Sequence, residues 1–218
     1  VDSPFVHDPV LAYENGKYYL YSTGHGISQM TSADRKHWTL CREGVLKNHE
    51  IPAWTHDSVP GFHTHIWAPD VIHYRNKWYL AYSCSTFGKN TSAIGLLSNT
   101  SLANMNGWKD EGCILASEGK RDNWNAIDPN FVIDDKGNPW MTWGSFWDGI
   151  QLVKLDKKTM HVKKGAKPQT IARRHAFGDA SAEPNPTSKF AGVNAIEAPF
   201  IMKHGGYYYL FVSWDYCC

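Results

Sequence analysis

Apolar residues in this chain come in short, strand-length bursts, and the same pair of bursts is written four times. The first burst of each pair opens at a proline: Val6-His7-Asp8-Pro9-Val10-Leu11, Trp67-Ala68-Pro69-Asp70-Val71-Ile72, Ala126-Ile127-Asp128-Pro129-Asn130-Phe131 and Asn194-Ala195-Ile196-Glu197-Ala198-Pro199-Phe200-Ile201. A turn follows, carrying Asn15-Gly16, Asn76, Gly137-Asn138 or Gly205-Gly206, residues that supply the positive φ of tight hairpins. The second burst is aromatic: Lys17–Ser22, Lys77–Ser83, Pro139–Ser145 and Tyr207–Ser213. The prolines fall at 9, 69, 129 and 199, in steps of 60, 60 and 70 residues. A period of that size marks a supersecondary unit that buries its faces only by stacking on its neighbours. The unit is all strand.

Copy one continues with strand-like stretches at 27–32 and 38–43, giving four short strands. Four-stranded sheets repeated radially predict an all-β fold built of β-propeller blades. Unit one covers 5 to about 50, and a His-rich loop spans 49–66. Unit two runs from 66 to about 115, with Ser92–Ser98 as its third strand and 107–112 leading to its outer one. Unit three runs from 125 to about 172, with 150–155 and 161–163 outside its first hairpin. Residues 173–193 read as a long surface loop, because the repeat resumes directly after them. Unit four begins at Ala195 and holds two strands by Cys218. The expectation is a single catalytic domain over 1–218, incomplete at its C-terminal end, whose fourth blade needs further strands from the rest of the chain or from a second chain.

Composition removes several functions. Lys and Arg number 22 against 21 Asp and Glu, so charge gives no case for a nucleic-acid or membrane-surface partner. No apolar run approaches the roughly 18 residues that cross a bilayer, and no signal peptide is visible. Aromatics make up 14% of the chain, ten of them Trp; most suit packing between sheets and a minority could stack on sugar rings. Cys41, Cys84 and Cys113 read as buried thiols, whereas Cys217-Cys218 could be a strained disulfide or two thiols. Asn90-Thr91-Ser92 and Asn99-Thr100-Ser101 match the glycosylation sequon. His63-Thr64-His65 puts two imidazoles on one face, but a metal needs a third ligand that the sequence does not identify, so polar loop packing is the expectation there.

The carboxylates carry the chemistry. Aligned on the prolines, Asp8 and Asp128 stand just before theirs, where copies two and four have Ala68 and Ala198. Glu197 stands one residue earlier, with a longer reach. Asp70 follows its proline, two positions from Ala68 and so on the same strand face; a carboxylate there could equally cap backbone N–H groups. If the first strand of each blade lines a channel, these acids converge. Like charges in a confined site repel and raise each other's pKa, which a purely structural protein has little reason to arrange. A glycosidase has a reason. It needs a protonated acid at the leaving oxygen and an ionised carboxylate on the other side of the sugar, about 6.5–9.5 Å apart if the second activates water and about 5–5.5 Å if it attacks directly. A third carboxylate can hold up the acid's pKa.

The four proline motifs, with Phe87-Gly88-Lys89-Asn90-Thr91-Ser92-Ala93-Ile94-Gly95 and Trp143-Gly144-Ser145-Phe146, resemble glycoside hydrolase family 43, and within it the endo-α-1,5-L-arabinanases. The resemblance spans nearly the whole chain. It implies a five-bladed propeller, of which these residues cover about three and a half blades, and hydrolysis of arabinan or arabino-oligosaccharides with inversion. It implies Asp8 as general base, Glu197 as general acid and Asp128 as pKa modulator and orienter. Trp67, Phe87 and Ser145 would line sugar subsites, with Asp70 a further substrate-binding candidate. No cofactor is implied for the chemistry. Many such enzymes hold a cation, expected to be a structural calcium, through water and a late-blade histidine absent from this sequence, so a metal site in this chain stays unknown. A secreted, periplasmic or extracellular location follows from the same likeness.

Rival readings remain in view. One is exo action, as an α-L-arabinofuranosidase or β-xylosidase; another is a carbohydrate-binding propeller without catalysis. The full set of acid, base and modulator goes beyond what binding needs. No Gly-x-Ser-x-Gly elbow, P-loop or Gly-x-Gly-x-x-Gly is present, which disfavours serine hydrolases and nucleotide enzymes.

Overall fold

The structure is a computed structural model that describes residues 1–47, 50–174, 186, 187, 189 and 191–217. Most of the 173–193 loop, and Cys218 with its pairing to Cys217, lie outside the described residues. The chain is all-β, as the pattern predicts, and its strands form successive antiparallel sheets.

Unit one contains β1 (Val10–Glu14), β2 (Lys17–Ser22), the two-residue β3 (Gly24–His25), β4 (Ser28–Ser32) and β5 (Thr39–Cys41). Its sheet order is β1-β2-β4-β5. β3 leaves that sheet and pairs with the first residues of unit two, Gly24 opposite Ile66 and His25 opposite His65. A five-residue helix, α1 (Trp54–Ser58), stands inside the stretch read as loop. Unit two is β6 (His65–Tyr74), β7 (Lys77–Cys84), β8 (Ser92–Asn99) and β9 (Lys109–Ser117) in simple meander order. Unit three is β10 (Asn130–Ile133), β11 (Pro139–Trp143), β12 (Ile150–Lys154) and β13 (Gln169–Ala172). The hairpin of β14 (Ile196–His204) and β15 (Tyr207–Trp214) follows a short 3-10 turn at Ala191–Val193.

Two strands differ from expectation, β3 as just described and the outer strand of unit three. The outer strand of unit three is β13, not 161–163, which makes only the isolated bridge Leu155–Val162. A tight turn explains it: Met160 donates to the Asp156 carbonyl and Asp156 to the His161 carbonyl, so 161–163 merely closes a loop on the end of β12.

Period-2 alternation decides which neighbour each side chain meets. On β7 and β8, Leu80, Tyr82, Ala93 and Leu97 pack towards unit one with Tyr19, Tyr21 and Ile66. Their alternates Tyr79, Ala81, Ile94 and Leu96 pack towards unit three with Met141, Trp143 and Val153. The sheet of unit two thus buries both faces, which is why β7 and β8 are buried at nearly every position. Cys84 is buried in this core, while Cys41 and Cys113 are half-buried. β15 differs: Tyr207, Tyr209, Phe211 and Trp214 are exposed.

The first strands neighbour one another in sequence order, β1 on β6, β6 on β10 and β10 on β14. Polar side chains stitch these contacts. The residue after the proline in one unit accepts the backbone N–H of the second residue after it in the next: Asp70 Oδ2 takes Phe131 N–H (2.7 Å), and Asn130 Oδ1 takes Ile201 N–H (2.8 Å). Asn130 also donates its amide to Asp70 Oδ2 at 3.2 Å.

Burial pushes the Asp70 carboxyl up to about 7, against the pull of its Phe131, Val71 and Asn130 donors. Its folded pKa thus exceeds the unfolded value of about 4, the folded state holds the extra proton between them, and stability falls as pH rises from about 4 towards 7. Asn130 demonstrates that asparagine can make the same stitch without charge. Asp70→Asn is therefore expected to flatten this dependence and to stabilise the fold above pH 7 by at least ~1 kcal/mol, read from thermal midpoints across pH. A lower midpoint than the parent at pH 8 would show that the charge itself is needed.

Candidate active site

Each proline sits at a break in its own ladder, and that break makes the site. In unit two, pairing runs from Tyr74–Lys77 to Asp70–Ala81, skips Ala68 and Pro69, and resumes at Trp67–Ser83. In unit four it skips Ala198 and Pro199 and resumes at Glu197–Ser213. In units one and three the chain rejoins through Thr23 N–H to His7 O (3.0 Å) and Gly144 N–H to Ile127 O (2.9 Å). Proline suits a bulge because it has no N–H to leave unpaired. The residue before it is held at positive φ in every copy: Asp8 at 50°, Ala68 at 41°, Asp128 at 57° and Ala198 at 52°. Sterics disfavour that conformation, at a cost of about 1–3 kcal/mol per residue, so it persists where the surroundings impose it. A bulge re-aims the side chain it carries. Asp8 and Asp128 ride on bulges, whereas Glu197 belongs to the resumed ladder.

Two spaces open around these residues. A narrow channel of ≈ 150 Å³ is lined by the repeats, including Asp8, Asp70, Asp128 and Asn130. A cleft of ≈ 880 Å³ adjoins it and is lined by Asp8, Asp128 and Glu197, with Trp67, Phe87 and Ser145. Six of the seven predicted site residues therefore meet in the cleft. Asp70 does not line it: the bulge breaks the simple alternation that put Asp70 on the face of Ala68, and its carboxylate is spent on the neighbouring unit.

The three cleft acids are held differently. Asp8 Oδ2 accepts from Thr23 Oγ1 at 2.6 Å and lies 2.7 Å from His7 Nδ1. Asp128 Oδ2 accepts Ala198 N–H at 3.1 Å, and the Asp128 N–H donates to Ser83 Oγ at 3.0 Å. Glu197 Oε2 accepts from Ser145 Oγ at 2.8 Å. Gly144 places that serine. Its φ is +133° and a Cβ there would collide with the Gly149 carbonyl, so only glycine fits. Phe146 N–H then ties the loop to Ile196 O at 2.9 Å.

Burial raises the pKa of Glu197, and the charge of Asp8 adds to this against the Ser145 hydrogen bond and His7. Burial raises Asp128 well above the usual carboxylate range, and the charges of Glu197 and Asp8 push it further. Glu197 and Asp128 thus keep a proton to higher pH than isolated carboxyls would.

His65 of the candidate His pair accepts from Trp67 Nε1 at 3.3 Å and packs its ring against His25, 5.3 Å between centroids. Among the described residues no group of three or more His, Cys, Asp or Glu side chains is disposed to hold a metal ion. No step below is routed through a metal ion. Sequence reading missed Thr23, Ser83, Trp214 and Tyr216. The last two line the cleft from the end of β15, and Tyr216 packs on Phe146 at 5.9 Å. For the two hydroxyls a signal existed, since both stand at the same place in the repeat.

A sequence model of glycosyl hydrolases family 43 matches residues 1–218. The chain is 41% identical over 216 residues to the extracellular exo-α-(1→5)-L-arabinofuranosidase ArbA of Cellvibrio japonicus (strain Ueda107), covering 98% of this chain and 60% of that protein. It is likewise 41% identical over 217 residues to the extracellular endo-α-(1→5)-L-arabinanase 1 of Bacillus subtilis (strain 168), again covering 98% and 60%. Among solved structures, an exo-1,5-α-L-arabinanase from a bovine ruminal metagenomic library is 53% identical and superposes with a TM-score of 0.86, covering 100% of this chain and 67% of that one. The chain thus spans about 60% of the length of the relatives it matches in sequence.

Proposed function

The chain belongs to glycosyl hydrolases family 43, and on that premise we propose that it carries the catalytic acids of an inverting hydrolase of α-1,5-linked arabinofuranosyl chains, acting at internal linkages. The observation that carries this reading is the cleft itself. One acid sits on the resumed ladder of unit four, two sit on bulges of units one and three, and their charges reach one another.

The roles follow from surroundings. Glu197, raised by burial and by Asp8, is suited to hold the proton that a leaving sugar oxygen needs. Asp8 receives a proton from water while the water oxygen bonds to the anomeric carbon. The bond from that carbon to the leaving oxygen breaks, and the oxygen takes the Glu197 proton. Solvent then returns a proton to Glu197 and removes one from Asp8. Asp128 touches the backbone directly after Glu197, through Ala198 N–H, and so orients the acid. Trp67 and the exposed Phe87 offer ring faces to sugars.

Two wider expectations belong with this reading. The sheets form part of a single catalytic five-bladed propeller, in which further strands, from the same chain or a second one, cover the exposed aromatics of β15. The protein works outside the cell, as the names of both sequence relatives state for them.

Exo action is the second reading, favoured by the exo-acting relatives at 41% and 53% identity. Linear α-1,5-arabinan separates the two when early products are sized. A spread of oligosaccharides is expected; a single short product from the first turnover would replace endo by exo action, and binding without any cleavage by the naturally encoded protein would overturn both.

A further inference from the structure

The repeat contains a position that sorts two equivalent aspartates into different jobs. Counting from the residue before each proline, the same offset reaches Thr23, Ser83, Trp143 and Ser213 (8 to 23, 68 to 83, 128 to 143, 198 to 213). The bulge takes the N–H of each pre-proline residue out of its own ladder, so it must find an acceptor elsewhere. In unit two, Ala68 N–H finds Thr23 Oγ1 at 2.8 Å. In unit three, Asp128 N–H finds Ser83 Oγ at 3.0 Å. In unit four the partner position holds Trp143, whose side chain offers no acceptor, and Ala198 N–H turns to the Asp128 carboxylate instead.

Asp128 is thus drawn into the seam between units, doing the work a hydroxyl does elsewhere. Asp8 is spared that work because Thr23 stands between it and Ala68. The Thr23 hydroxyl accepts from Ala68 and gives its single proton to Asp8 Oδ2, 2.6 Å away. His7 Nδ1 lies against the same oxygen. Among the described residues no hydrogen bond falls on Asp8 Oδ1, which leaves that oxygen free to receive a proton from water.

We propose that Thr23 is a positioning residue for the water-activating carboxylate, fixing the rotamer of Asp8 so that Oδ1 faces the attacking water, and that threonine against tryptophan at this repeat position is what separates base from modulator. The inference rests on Asp8 being the base.

The test uses Thr23→Val, which keeps the shape and loses the hydroxyl, and Thr23→Ser, which keeps the hydroxyl, both in the naturally encoded protein. On linear α-1,5-arabinan, Thr23→Val is expected to lower kcat about 10–100-fold, as loss of an orienting partner does, with KM little changed. Thr23→Ser is expected to restore kcat to within a few-fold. A kcat close to the parent in Thr23→Val, or a Thr23→Ser variant as slow as Thr23→Val, overturns the proposal. If Thr23→Val does not fold, Thr23→Cys replaces it, with a weaker S–H donor and an intermediate kcat expected; parent-like kcat there also overturns it. Asp8→Ala separates the two levels. If Asp8→Ala retains activity, the base assignment fails and this inference with it; if it is inactive while Thr23→Val turns over normally, the Thr23 role alone fails.

Discussion

Glu197→Ala lowers turnover of linear α-1,5-arabinan by about 10²–10⁴-fold, the usual worth of a general acid, yet slows far less an arabinofuranoside whose leaving group is a nitrophenolate. The difference is the point of the prediction. A sugar alkoxide is too basic to depart unprotonated, whereas a nitrophenolate leaves without help. The surroundings of Glu197 point this way: it is half-buried, its pKa is raised by burial and then by Asp8, and Ser145 fixes the direction of one oxygen. Activity should also fall on the alkaline side as the acid loses its proton, and the variant should lose that limb. Equal slowing of both substrates would remove Glu197 from the role of acid.

Asp8→Ala is expected to cost a comparable factor, about 10²–10⁴, but on both substrates alike. Water must be activated whatever leaves, so a better leaving group gives no rescue. The parent enzyme, followed by NMR from the first turnovers, should release the β-anomer from the α-linkage. Release of the α-anomer first would mean direct attack by a carboxylate and would end the assignment of Asp8 as base. The reading further requires the Asp8 and Glu197 carboxyls to lie in the wide range of about 6.5–9.5 Å, with room for one water between base and sugar.

The strands, their hairpins and the three cleft acids could be read from the sequence because they depend on local rules. Alternation, turn residues and the recurrence of a proline need no knowledge of distant partners. Asp70 could not be read this way. Its position depends on a bulge that shifts register between Trp67 and Asp70, and strict alternation cannot register an extra residue. β13 was missed although Thr170 and Ile171 are good strand formers: it pairs with β12 across a long connection and with a register irregularity at Ile150–Gln151, whereas 161–163 lie next to β12 in sequence. β3 was invisible because its two residues pair only with the next unit, across forty residues of chain. Thr23 was legible in principle. Its kinship with Ser83 is plain once the copies are aligned, but the need for a hydroxyl becomes apparent only when the bulge strands a backbone N–H.

The left-handed residue before each proline has a consequence for how such a cleft can be altered. Every unit prepares the same strained socket on its inner strand, filled by Asp8, Ala68, Asp128 and Ala198. Aspartate is among the few non-glycine residues that tolerate this conformation well, and alanine has no such aptitude. Putting an acid into a socket therefore adds little conformational penalty beyond what the scaffold already bears. The backbone offers a series of equivalent mounts, so charge can be added to or withdrawn from the channel and the adjoining cleft one unit at a time, by single substitutions, without redesigning a strand.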